Sequence, residues 1–198
     1  MTSSTTMAAF SGSANGQLSF ARQVLLALGG SLLIALSAKI QVPFQPVPMT
    51  MQTLVVMCLG LAYGRNLAFA TVALYLLQGA AGLPVFADTP AKGIGLAYMF
   101  GSTGGYLVGF LAAATLCGWL AERGWDRRIH TTAAALLAGT SLIYLPGLVW
   151  LASLHGWDKP ILAWGLWPFL PGELTKIAIG ACLMPAVWSG FRWLQARR

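Results

Sequence analysis

The chain has 198 residues and a formal net charge of +7, yet only 9% of its residues are charged while 57% are hydrophobic. A soluble domain carries about 25% charged residues, so this composition excludes one and indicates a membrane protein the size of a single bundle. The basic excess forms no stripe interleaved with aromatics, which excludes nucleic acid as a partner.

Residues 1–21 are rich in Ser, Thr, Ala and Gly, carry no Lys or Arg, and lack a secretory signal pattern. They are expected to be a disordered tail ahead of one transmembrane domain over 22–198. The first span runs from about Phe20 to Ile40, long enough to cross a bilayer. Within it Ala27, Ser31 and Ala35 recur at four-residue intervals. Such a small-residue stripe lets another helix approach closely, whether of this chain or of another subunit.

Pro43, Pro46 and Pro48 then forbid a regular helix and favour an extended or turn conformation. The apolar piece that follows, Thr50 to Gly64, covers roughly 22 Å, short of a hydrocarbon core of about 30 Å. The proline segment is therefore expected to dip to membrane depth, where irregular backbone is tolerated only against protein or a cavity. Thr50, Gln52 and Thr53 would face whatever it encloses; a surface hairpin is the alternative.

Arg65 and Asn66 turn the chain into a third span, Leu67 to about Gly79. A glycine-rich connection follows through Asp88, Pro90 and Lys92 to Gly101-Ser102-Thr103-Gly104-Gly105-Tyr106, and it lacks the Lys-Ser/Thr pair of a nucleotide-binding loop. The fourth span, about Gly104 to Leu120, leads into the charged stretch from Glu122 to Arg128, read as a solvated loop. The fifth, about Thr131 to Leu154, holds Tyr144 and Pro146 midway. Trp164, Trp167 and Phe169 mark an interfacial or partly re-entrant aromatic segment, after which Pro171 and Gly172 break the chain ahead of a sixth span starting at Glu173.

Glu173 and Lys176 are three residues apart and share a helix face. An ionisable group at the bilayer centre costs about 2.5–3.5 kcal/mol, so such a pair either marks a site or anchors the helix at the interface. Six spans put both termini on one side. All eight arginines fall on that side and all four lysines on the other, so the positive-inside bias makes the termini cytoplasmic. The expected architecture is an all-α integral membrane protein, a six-transmembrane-helix bundle whose proline-rich loop lies at the outward face.

No nucleophile sits with a base, and His130 and His155 lack partners at metal-ligand spacing, so neither a catalytic nor a metal site is assigned. Cys58, Cys117 and Cys182 are read as buried thiols. What remains is an outward pocket with a few polar groups among apolar walls, which suits a small molecule.

Four motifs carry a resemblance to a known family. They are Ile34 to Pro43 continuing through Pro46 to Leu54; Gly82-Leu83-Pro84-Val85-Phe86; Gly101 to Leu107; and Pro168 to Lys176. Over roughly residues 22–195 the chain resembles the BioY family, the biotin-specific substrate-binding components of energy-coupling-factor vitamin transporters. Glu173 stands where that family usually carries Asp, which keeps the charge and adds a methylene.

The resemblance implies a multi-pass protein of a bacterial or archaeal plasma membrane that binds biotin from outside, with biotin as its transported ligand and no cofactor. Glu173 would accept from a ureido N–H and Lys176 would donate to the ureido oxygen or to the carboxylate. Gln52, Asp88 and Tyr106 would complete the polar set, with Phe44 and Phe86 as apolar walls. Ala27, Ser31 and Ala35 would dock a transmembrane coupling subunit, and two partner ATPase subunits would hydrolyse ATP. A solitary transporter acting as a homo-oligomer is the first alternative. A membrane enzyme acting on a lipid or amphipathic acid, with Glu173 as general base, is the second.

Overall fold

The computed structural model describes residues 19–196, with side chains through Gly190. Residues 1–18, most of the expected tail, lie outside that range. Helix α1 (Phe20–Ala38) takes in the last two residues assigned to the tail and buries Ala27, Gly30, Ser31, Ile34, Ser37 and Ala38 on one stripe.

That stripe is covered by α2 (Gln52–Tyr63) and α3 (Arg65–Ala80) of the same chain. A Cβ on Gly30 would lie 2.6 Å from Thr71, and the Tyr63 hydroxyl donates to the Leu26 carbonyl at 3.1 Å. Ala27 and Ser31 are buried there and Ala35 packs against the core. The small-residue stripe is thus taken up within the chain. The face it leaves to the surroundings is made of Leu25, Leu28, Leu32 and Leu36.

Beyond α1, β1 (Gln41–Val42) and β2 (Met49–Thr50) pair antiparallel, with Gln41 opposite Thr50 and Val42 opposite Met49. The prolines between them keep 43–48 out of any helix. Helix α2 is about 18 Å long and is buried nearly all round, Gln52 and Thr53 included. It turns at Gly64, whose φ of +79° is open to glycine, and the Glu122 carboxylate accepts the Arg65 N–H at 2.8 Å to satisfy the start of α3.

The 79–106 connection contains a short helix, α4 (Gly95–Met99), before α5 (Gly104–Ala121). Helix α5 is central: it packs on α2, α3 and α6 (Ile129–His155). The fit to α6 is close, since a Cβ on Gly105 would lie 2.3 Å from the Pro146 carbonyl oxygen.

In the stretch from Glu122 to Arg128, Arg123, Arg127 and Arg128 are exposed, as their charges suggest, but Asp126 is not. A 3-10 turn over Trp125–Arg127 buries Asp126 completely; the Trp188 indole N–H donates to its carboxylate, and the Arg127 guanidinium lies 4.8 Å above the Trp188 ring. A buried carboxylate needs a donor, and here it comes from α8 (Leu170–Ala196).

Two short pieces, α7 (Ile161–Gly165) and a 3-10 turn at Trp167–Phe169, lead into α8. This helix begins at Leu170, ahead of the expected Glu173, because a proline in the first turn has no N–H bond to lose. Of the three thiols only Cys117 is buried; Cys58 is half-buried and Cys182 exposed. Among the described residues, α1, α5, α6 and the 161–190 segment are long and apolar enough to cross a membrane. Helices α2 and α3 are shorter than the roughly 20 residues a full crossing takes.

Candidate functional site

The first turns of α2 and α8 meet under the β1–β2 hairpin, and the polar contacts between them are buried. Glu173 is 2% exposed and Lys176 5%. The Lys176 ammonium donates to the Glu173 Oε1 at 2.7 Å, to Thr53 Oγ1 at 3.0 Å and to the Thr50 carbonyl at 2.6 Å. An ammonium has three donors, and these partners use all of them. Thr53 in turn donates its hydroxyl to Glu173 Oε1 at 3.0 Å.

Glu173 Oε2 is the exception. It is buried and makes no hydrogen bond, with the Tyr144 hydroxyl beside the carboxylate. A buried acceptor left open in this way is uncommon and marks where a donor can be received.

Glu173 opens onto a cavity of about 50 Å³, room for a few water molecules. Its polar side is Thr50, Gln52, Thr53 and Glu173; its roof is Val47, Pro48 and Met49 of the hairpin; its walls include Tyr98, Tyr106, Phe110, Ile143, Tyr144 and Phe169. Gln52 is held by its amide, which donates to the Tyr75 hydroxyl at 2.7 Å. Tyr106 presents its ring, since its hydroxyl donates to the Gly165 carbonyl at 3.0 Å.

Of the residues expected from the sequence, Glu173, Gln52 and Tyr106 line the cavity. Lys176 stands directly behind Glu173. Phe86 and Phe44 are one layer out: Phe86 is fully buried and stacks on Tyr98 at 4.9 Å, and Phe44 leans edge-on against Phe169 at 5.7 Å.

Asp88 also lies outside the lining. It pairs with Lys92 at 2.7 Å and accepts from the Gln41 amide, while Lys39 donates to the Phe86 and Thr89 carbonyls at 2.9 and 3.2 Å. Burial pushes the Asp88 carboxyl up, but Lys92, Gln41 and Lys39 outweigh it and hold it below the usual range. These contacts brace the foot of the hairpin against the 86–92 loop.

Tyr98, Ile143, Tyr144 and Phe169 are cavity residues that the sequence reading did not assign. Tyr144 carried a signal, a hydroxyl in mid-span two residues before Pro146. For the others nothing in the residue identities distinguished cavity from core.

The arrangement suits a small amphipathic ligand, with one deep anionic acceptor among aromatic and aliphatic walls. Known proteins with similar sequences are transporters. The chain is 34% identical to the Biotin transporter BioY of Rhizobium etli, covering 88% of this chain and 96% of that one. It is 35% identical to the Probable biotin transporter BioY of Pyrococcus horikoshii, covering 80% and 91%, and 32% identical to that of Rickettsia prowazekii, covering 78% and 77%. The fold matches the crystal structure of the S-component for biotin from an ECF-type ABC transporter with a TM-score of 0.69 at 21% identity, over 87% of this chain and 95% of that one. The BioY family model matches residues 4–193, nearly the whole length, and the chain belongs to that family.

Proposed function

We propose that this protein captures biotin at the membrane and serves its uptake as the substrate-binding component of an energy-coupling-factor transporter. The buried Oε2 of Glu173, which makes no hydrogen bond although its residue lines the aromatic-walled cavity, is the observation that carries the reading. A ureido N–H is a donor of the right kind, and the rings of Tyr98, Tyr106 and Phe169 suit a thiophane ring and an aliphatic chain.

The cavity is too small for a bicyclic ligand as it stands. Entry requires the hairpin roof to lift, which withdraws the Thr50 carbonyl and frees one Lys176 donor for the ureido oxygen or the carboxylate. Gln52 supplies a further polar contact. Helices α2 and α3 complete a six-helix bundle with both termini cytoplasmic in a bacterial or archaeal plasma membrane, and the proline hairpin caps the outward side. A transmembrane coupling subunit and two ATPase subunits supply the energy, and the leucine face of α1 is the surface available to the former.

Capture of a scarce vitamin calls for nanomolar affinity, about −12 kcal/mol. Equilibrium binding of biotin to the purified protein in detergent, without nucleotide, tests the reading. Tight one-to-one binding with the ligand recovered intact supports it; no binding by a folded sample overturns it.

A further inference from the structure

A groove between α3 and α5 plays no part in the site above. Val108, Leu111, Thr115 and Trp119 run along its α5 side, Phe69 lies on α3, and Arg65 is its one charged lining residue. Thr115 spends its hydroxyl on the Leu111 carbonyl at 2.6 Å, so the walls are apolar in effect. From Val108 to Trp119 the helix rises about 16 Å, a length that accommodates much of an acyl chain.

The charged end is built differently. A Cβ on Gly118 would lie 2.5 Å from the Arg65 nitrogen, which puts Arg65 level with Trp119, and the Arg123 guanidinium sits 3.4 Å over the Trp119 ring. Tryptophan and arginine at one level mark a membrane–water interface. Glu122 takes the Arg65 backbone N–H, but the Arg65 guanidinium has no hydrogen bond or ion pair among the described residues.

A second groove, lined by Trp157, Lys159 and Trp167 among others, is similar in kind, but its lysine is paired with Asp158 at 3.2 Å. Charge therefore distinguishes the two. We propose that the α3–α5 groove binds one anionic phospholipid, its acyl chain along Val108 to Trp119 and its phosphate on the Arg65 guanidinium. The inference rests on the chain lying in a membrane and is independent of what the central cavity binds.

Native mass spectrometry of the purified full chain, mixed in detergent with phosphatidylglycerol or with phosphatidylcholine of the same acyl chains, tests it. The parent is expected to retain one phosphatidylglycerol about fivefold better than phosphatidylcholine, the effect of one arginine near an anionic headgroup. Arg65→Gln abolishes the preference, Arg65→Lys keeps it, and Lys159→Gln leaves it unchanged. Ala112→Trp, which fills the groove, removes the bound lipid without touching Arg65 and serves should Arg65→Gln fail to fold. No preference in the parent, or a preference that survives both Arg65→Gln and Ala112→Trp, overturns the proposal.

Discussion

The ammonium of Lys176 lies 2.6 Å from the carbonyl oxygen of Thr50, so the start of α8 holds the strand that roofs the cavity. The same nitrogen neutralises Glu173 at 2.7 Å. One side chain thus links hairpin closure to the charge inside the site.

Lys176→Ala leaves Glu173 buried without its cation and the hairpin without its tie. Breaking a buried pair in this way costs about 3–5 kcal/mol, and thermal unfolding in detergent is expected to show a loss of that order, with biotin affinity falling too. The double variant Lys176→Met with Glu173→Gln is expected to unfold at a higher temperature than Lys176→Ala alone. The reverse order would show that the pair is not coupled.

Glu173→Gln keeps the shape of the side chain and removes the anionic acceptor. Biotin binding is expected to weaken by about 1.5–3 kcal/mol, the worth of a hydrogen bond to a charged group. An analogue methylated on its ureido nitrogens should bind parent and variant alike. Titration calorimetry of both ligands reads the difference.

Tyr106→Phe and Gly147→Ala separate the ring of Tyr106 from its hydroxyl. The hydroxyl serves Gly165, so its removal is expected to cost about 0.5–1.5 kcal/mol of stability with affinity nearly kept. A Cβ on Gly147 would lie 2.5 Å from the Tyr106 ring and push it into the cavity. That overpacking is expected to cost about 1–3 kcal/mol and to show in binding as well as in the melting temperature.

Acid should loosen the hairpin foot. The Asp88 carboxyl is held below its ordinary value of 3.8 in the folded chain. It therefore favours the folded state above that value, and the contribution is lost as pH falls through the lower folded value. Hydrogen exchange at 86–92 is expected to quicken over that acid range in the parent, and Asp88→Asn should flatten the dependence.

The Glu173–Lys176 pair and the proline hairpin were legible from the sequence because each breaks a strong local rule: charges are costly in an apolar chain, and prolines refuse a helix. The saturation of Lys176 was not legible, since its shortest bond goes to the backbone carbonyl of Thr50, and residue identity says nothing about a carbonyl 126 positions away. Asp126 was misread as solvated for a related reason, its donor Trp188 being 62 positions on. Phe86 and Phe169 are both aromatic and both lie in motif segments; the rotation of the elements that carry them decided which faces the cavity. The stripe of Ala27, Ser31 and Ala35 was visible, but spacing alone does not say which neighbouring helix uses it.

The short reach of α2 sets how far cargo has to travel. If its Tyr63 end stands at one surface of a 30 Å hydrocarbon slab, its Gln52 end, where the cavity lies, is about 18 Å away and about 12 Å beneath the opposite surface. On the uptake route proposed above, a ligand seated there has already crossed more than a third of the slab before any large movement begins, and the remaining path to the far side is about 18 Å.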